Sequence, residues 1–196
     1  MTSLSNLSIA VIHYPAYDKN GNIVATSLNN VELHDLARTC MTFETDLCYI
    51  VSPLPKQRQL MDQLLDHWLR GYGATYNPDR SLALTKIVMR SSLEEVLRDM
   101  DPHNRPLVIG TSSRERGTRT ISYEELRKRV RTADERFLLL FGTGWGLTED
   151  IIEQCHMMLP PLKGAGGFNH LSLRVAMGII LDRIFGERGG AHERDG

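Results

Sequence analysis

Two loops carry residue types able to do chemistry. The first is Gly142-Thr143-Gly144-Trp145-Gly146, which follows the apolar run Leu138-Leu139-Leu140-Phe141 and precedes Leu147. The second is Leu159-Pro160-Pro161-Leu162-Lys163-Gly164, continued by Asn169-His170-Leu171-Ser172-Leu173-Arg174. Glycines let a backbone approach a ligand closely, and loops at the ends of buried strands offer it main-chain N–H and C=O groups. Two such loops would hold a small polar molecule in an apolar slot. The G-x-G-x-G spacing is not the G-x-G-x-x-G of a dinucleotide fold, and it lies far from the first strand. No acidic residue follows about 20 positions later to bind a ribose. Lys163-Gly164 stands in the wrong order for a phosphate loop ending in Gly-Lys-Ser/Thr. A turn that merely lets the next helix pack back on the sheet is the competing explanation of these glycines.

The elements that must position these loops follow from hydrophobic periodicity. Short apolar runs at 8–14, 47–51, 84–89, 106–110, 137–141 and 155–159 predict strands. Between them, Leu33, Leu36, Ala37, Cys40 and Met41 make the i, i+3, i+4, i+7, i+8 stripe of a helix over 31–43. Leu60, Leu64, Leu65, Trp68 and Leu69 make a second helix ending at Gly71. Residues 71–80, mixing aromatics, glycines, Asn77 and Arg80, read as irregular. Leu93, Val96, Leu97 and Met100 mark a short helix, and Ser122 with Glu125 caps another over 122–131. Asn20-Gly21 signals a turn after the first strand. Strands alternating with helices imply an α/β fold, a mainly parallel sheet with helices on both faces. The ligand then belongs beyond the carboxyl ends of the strands, where the loops at Pro15, Thr111, Gly142 and Pro160 should gather.

The chain has 196 residues, enough for one domain with a substantial core, and a net charge of −1 that does not advertise nucleic-acid binding. Arginines and lysines crowd residues 114–136, but interleaved acids read as a helix laced with ion pairs. No apolar run approaches the roughly 18 residues of a membrane span, and no secretory leader is visible. Cys40, Cys48 and Cys155 are widely spaced and the histidines scattered, so neither a disulfide framework nor a metal site is expected. A cytoplasmic protein without membrane association is the expectation. The last helix, 171–185, is polar only at Arg174, Asp182 and Arg183, which predicts burial on more than one side and a homodimer.

With these elements in place, the chain resembles the SPOUT superfamily of S-adenosylmethionine-dependent RNA methyltransferases. Leu139-Leu140-Phe141-Gly142-x-Gly144-x-Gly146-Leu147 resembles its second motif. Leu159-Pro160-x-Leu162-x-Gly164 with residues 169–176 resembles its third, and Asn30 followed by Asp35-Leu36-Ala37-Arg38-Thr39 and Phe43 its first. The segments 13–15, 71–80 and 141–147 are similar to a small bacterial branch related to a domain sometimes fused to tRNA guanine-N1 methyltransferase. The resemblance implies a single domain over 1–186 with a C-terminal trefoil knot, a homodimer, and S-adenosylmethionine as cofactor, while the polar, glycine-rich residues 187–196 are expected to form a disordered tail. It implies cofactor-binding roles for Thr111, Ser112, Phe141, Gly142, Thr143, Gly144, Trp145, Gly146, Leu159, Pro160, Leu162, Lys163, Gly164, Asn169, His170 and Leu171. Ribose methylating families usually carry a glutamate in the second-motif loop and an asparagine after the third-motif Ser-Leu. Here Trp145 and Arg174 depart from that pattern, so the methylated atom stays open.

Methyl transfer needs positioning and a proton acceptor, not a metal. Arg38 is the candidate for orienting or activating the RNA acceptor, and Asp35, His34 and Asp18 are candidate bases. Tyr14, Tyr17, Tyr72 and Tyr76 are candidates to stack RNA bases, an interaction worth roughly 1–3 kcal/mol each. Asn77 and Arg80 are further candidate RNA contacts. Two readings compete with an RNA methyltransferase. One is a non-catalytic dimeric module that binds S-adenosylmethionine and RNA, and the other is an ordinary Rossmann-type nucleotide enzyme.

Overall fold

A computed structural model describes residues 5–100, 105–116 and 119–187. In chain order the elements are β1 (Leu7–Ile12), β2 (Ala16–Tyr17), β3 (Ile23–Val24), α1 (Asn30–Thr42), β4 (Cys48–Val51) and α2 (Pro55–Leu69). Next come α3 (Tyr72–Tyr76), α4 (Pro78–Leu84), β5 (Ile87–Arg90), α5 (Leu93–Met100), β6 (Leu107–Gly110) and α6 (Tyr123–Thr132). The chain closes with β7 (Phe137–Gly142), α7 (Glu149–Glu153), β8 (Met157–Met158) and α8 (Leu173–Phe185). Strands pair in the order β5-β4-β1-β7-β6-β8, every pair parallel, with Ile9 opposite both Cys48 and Leu139. The expected α/β architecture, a mainly parallel sheet between helices, is what forms.

Successive strand residues point to opposite faces, and both faces are dry. Leu7, Ile9, Val11, Ile50, Ile109, Leu139 and Phe141 join apolar residues of α1, α2, α4, α6 and α8 in the larger core. Ala10, Ile12, Tyr49, Val51, Leu138 and Leu140 meet α5 and α7 on the other. This explains why β1 and β7 read as continuous apolar runs and not as alternations. Side-chain caps start two helices: Ser122 Oγ accepts the Glu125 N–H (3.1 Å) at α6, as the sequence predicts, and Asn29 Oδ1 accepts the Glu32 N–H (2.8 Å) at α1.

Residues 71–80 correct the sequence expectation, because they form α3 and the start of α4. Gly73 is a packing glycine, not a breaker: a Cβ there would lie 2.7 Å from the Trp68 ring. Pro78 opens α4 at a position where its missing N–H costs nothing. The loop after β1 also holds more than a turn, since β2 and β3 pair as an antiparallel hairpin. From residue 188 onward, the expected tail lies outside the described residues. Among the described residues no helix is long and apolar enough to cross a membrane.

Candidate cofactor site

Beyond the carboxyl ends of β6, β7 and β8 lies a cavity of about 290 Å3. Its floor is apolar, from Phe141, Leu159, Leu162, Leu173, Ala176 and Ile180, and its rim carries Thr111, Ser112, Asn169, His170 and Ser172. The residues 142–146 form one wall. Chain order reverses between β1 and β7, the usual ligand crevice of an open parallel sheet. Here the β2 hairpin sits against the 143–147 loop at that crevice: Trp145 N–H donates to Tyr17 O (2.9 Å), and Ala16 bridges Leu147. The cavity therefore opens further along the sheet edge.

The glycine loop is held in one shape. Gly144 has φ +58, and a Cβ there would come within 2.6 Å of Tyr17 O. Gly142 is equally confined, because its Cβ would lie 2.5 Å from Leu147 N. Between them Thr143 anchors the loop to β1 by a directional chain of hydrogen bonds. Thr143 Oγ1 donates to Ile12 O (2.9 Å), so the Thr26 hydroxyl must supply the proton between Thr26 Oγ1 and Thr143 Oγ1 (2.6 Å). Thr26 Oγ1 then accepts from His13 Nδ1–H (2.9 Å), which fixes the neutral tautomer of a buried histidine whose Nε2 has no partner. Burial pushes the His13 imidazole down to about 4 from an ordinary 6.5.

Two further ties close the cavity. Asn169 Nδ2 donates to Ser113 O (2.7 Å), and Tyr123 OH donates to Pro160 O (2.9 Å). Burial also raises the Tyr123 phenol, so it is a fixed donor and not a proton acceptor. Tyr123, Ala176 and Ile180 were not singled out from sequence. The i, i+4 spacing of the last two on α8 was a usable signal, hidden by the apolarity of the whole helix.

Of the residues expected to bind the cofactor, Thr111, Ser112, Phe141, Gly142, Thr143, Gly144, Trp145, Gly146, Leu159, Pro160, Leu162, Asn169, His170 and Leu171 line the cavity. Lys163 and Gly164 do not. Lys163 turns to a neighbouring cleft, where its ammonium pairs with Glu115. Among the described residues no carboxylate, lysine or arginine lines the cavity. That wall, with an apolar floor and main-chain polar groups, suits a nucleoside bearing a zwitterionic amino acid.

The other predicted residues are dispersed. Arg174 of α8 pairs with Asp35 of α1 at 2.5 Å. The exposed Arg38 lines a groove between these helices with Thr39, Phe43 and Ser172, and Ser172 also lines the cavity. Groove and cavity thus meet at the start of α8. His34 is elsewhere: its ring stands edge-on to Trp68 at 5.2 Å, and Arg80 lies 5.0 Å over the same indole. Burial and then the Arg80 charge hold His34 below its usual range. Asp18 is spent on its turn, accepting the N–H groups of Asn20 and Asn22, and the Asn22 bonds keep its carboxyl low. Asn77 Oδ1 caps α4 through the Arg80 N–H (2.9 Å), and Tyr17 OH accepts the Glu149 N–H (3.3 Å). Tyr14 is exposed, and Tyr72 and Tyr76 form an exposed stacked pair at 5.8 Å. In the arginine-rich stretch Arg116 pairs with Glu149, Arg129 with Glu135 and Arg136 with Asp46, and Arg127 donates to Arg183 O.

A parallel six-stranded sheet with a backbone-walled cavity at its carboxyl edge defines an α/β protein with a candidate ligand site at the strand ends. Solved structures share the fold: TrmJ from Z. mobilis ZM4 has a TM-score of 0.59 at 16% identity, covering 93% of this chain and 69% of that one. A family model for SAM-dependent RNA methyltransferases matches residues 6–186, and the chain belongs to that family, which uses S-adenosylmethionine. The tRNA (guanine-N(1)-)-methyltransferase of Oleidesulfovibrio alaskensis is 41% identical over 184 residues, which cover 93% of this chain and 42% of that relative. The chain thus spans under half the length of that relative. An uncharacterized protein of Aquifex aeolicus is 38% identical over 182 residues, covering 92% of this chain and 88% of the relative.

Proposed function

We propose that this chain methylates tRNA as a homodimer, with S-adenosylmethionine held in the cavity beyond β6, β7 and β8. The observation that carries the reading is the neutral cavity walled by the rigid 142–146 loop. Its apolar floor would take an adenine, and main-chain groups of residues 142–146, 159–162 and 169–171 would satisfy its polar edges. When bound, the cofactor supplies a methyl group on a sulfonium for in-line transfer. The protein's part is positioning and exclusion of water. Arg38, at the junction of groove and cavity, orients the RNA acceptor or its phosphate, and the Arg174 pair fixes Asp35 beside it. His34, packed on Trp68, serves the α1–α2–α4 corner instead of the proton transfer. Across the 159–160 loop from the cavity, a cleft holds Arg116, Lys163 and Arg183. The Lys163–Glu115 pair is exposed and the Arg116–Glu149 pair partly so, which leaves both weak enough to exchange for RNA phosphates, while Arg183 lies over the Tyr123 ring. The tRNA assignment is supported by the likeness to the longer relative, a tRNA (guanine-N(1)-)-methyltransferase.

The C-terminal trefoil knot is part of this reading. Its support is that residues 159–172 lie against residues 111–123 through the Asn169–Ser113 and Tyr123–Pro160 bonds, while α8 returns to pack on α1 and α6. The homodimer is supported by the exposed Val175, which lines the α1–α8 groove, with Val31 exposed in the first turn of α1 and Leu171 exposed just before α8. Val175→Asp is expected to convert a dimer to monomers at micromolar concentration in sedimentation equilibrium, with the circular dichroism spectrum retained. A variant that sediments like the wild type would remove this face from the interface.

The function is tested by titrating S-adenosylhomocysteine calorimetrically and then incubating methyl-labelled cofactor with RNA from cells lacking the protein. Saturable binding and label in the tRNA fraction are expected. Binding of NAD in preference would refute the cofactor assignment, and label confined to other RNA would refute the tRNA assignment.

A further inference from the structure

Trp145 lines the cavity, yet its side chain is 66% exposed. The backbone that carries the indole is held in one place. Gly144 at φ +58 and Gly146 at φ +108 flank it, its N–H is bonded to Tyr17 O, and Gly146 N–H donates to Thr143 O (3.0 Å). The backbone is fixed on both sides, and it carries a large aromatic plane outward at the cavity mouth. The 164–172 loop adds a second exposed ring, Phe168, 79% accessible and edge-on to His170 at 5.4 Å. His170 lines the same cavity. Exposed large aromatics at the entrance of a well-covered cavity mark a contact surface. Its neighbours are polar, from Thr143, Asn169 and His170, and the adjoining cleft holds Arg116, Lys163 and Arg183. An exposed flat apolar ring is the pattern that takes an unpaired base by stacking, and the cations of the neighbouring cleft lie across the 159–160 loop, where phosphates further along the strand would pass.

We propose that Trp145 is the stacking platform for an unpaired nucleobase of the RNA substrate, so that the acceptor nucleotide is presented outside a helix. The inference rests on the RNA methyltransferase reading above. A base inside a duplex has both faces covered by its neighbours and cannot reach the indole without leaving the stack. Ribose or base chemistry can follow, but only on a nucleotide whose base has been drawn out.

The test uses the full chain, Trp145→Ala and Trp145→Phe, with S-adenosylhomocysteine, total tRNA from cells lacking the protein, and an oligoadenylate either single-stranded or paired to oligouridylate. Trp145→Ala is expected to weaken RNA binding about 10- to 100-fold and to raise the apparent KM for tRNA by the same factor. The loss in S-adenosylhomocysteine affinity should be at least about tenfold smaller than the loss for RNA, and Trp145→Phe should recover most of the RNA loss. Single-stranded oligoadenylate should quench wild-type tryptophan emission, the paired form should not, and Trp145→Phe should lack that component. Equal weakening of cofactor and RNA by Trp145→Ala would show that the indole covers the cofactor, and would overturn the proposal. Unchanged RNA binding, or equal quenching by the duplex, would overturn it too. Failure of the wild type to bind S-adenosylhomocysteine would instead overturn the reading beneath it, and the proposal with it.

Discussion

Gly144→Val is expected to weaken S-adenosylhomocysteine binding roughly a hundredfold, from about 3 kcal/mol of combined backbone strain and displacement at this one position. The residue sits in the left-handed region, where a β-branched side chain is worst placed, and its Cβ would meet Tyr17 O at 2.6 Å. The loop must lift off the β2 hairpin, breaking the Trp145–Tyr17 bond that shapes the cavity wall. Gly146→Ala separates the two causes, because at φ +108 it carries strain while its Cβ has nothing within 4 Å. It should weaken binding by roughly tenfold. Calorimetric titration reads both variants, and thermal melts confirm that each is folded. If Gly144→Val bound as tightly as the wild type, the 142–146 wall would not be the cofactor wall.

His13 should make the protein lose stability as pH falls from 7 to 4.5, by about 2.5 kcal/mol from this residue alone. Its folded-state value of about 4 lies below the ordinary 6.5. The unfolded chain therefore binds the proton first. Stability from this group is complete above about pH 6.5 and declines as pH drops towards 4. Urea titrations of wild type and His13→Asn at pH 7 and 4.5 isolate the contribution, since asparagine keeps a donor for Thr26 but does not titrate. The variant should be less stable at pH 7 and should show a pH slope shallower by the amount stated. Because His13 holds Thr26 and Thr26 holds Thr143, cofactor affinity of the folded wild type should hold down to about pH 5 and fall only as pH approaches the folded value of about 4. Parallel slopes for the two proteins would show that the buried imidazole is not the titrating group.

The sheet was legible because burial on both faces leaves an unmistakable mark: residues 7–12 and 137–142 are apolar almost throughout, and the helices between them carry stripes. The glycine loop was legible for a related reason, since a loop that needs Gly142 and Gly144 for steric reasons advertises them. Residues 71–80 were misread because Gly73 and Pro78 look like breakers out of context. Only the Trp68 ring beneath Gly73 shows that close packing, not a turn, requires the glycine. The polar candidates were harder still. His34 and Asp35 are neighbours in sequence, but a helix turns each residue about 100° from the last. One therefore packs on Trp68 while the other reaches Arg174. Nor does any local pattern tie His13 to Thr143, whose connection crosses from one end of the chain to the other through Thr26.

The strand order also constrains how a growing chain can assemble. β1, β4 and β5 are neighbours in the sheet and can pair once residue 90 has been made. β6 comes next in the chain, yet its described partners are β7 and β8, so it has no place to dock until β7 has joined β1. Parallel pairings across such sequence separations form slowly. Throughout synthesis of residues 91–136, one edge of β1 stays open, a run of six residues all buried in the finished fold. Unpaired apolar edges are where nascent chains associate wrongly. The strand that ends at the site's buried histidine is therefore the stretch for which a holding chaperone would matter most during translation.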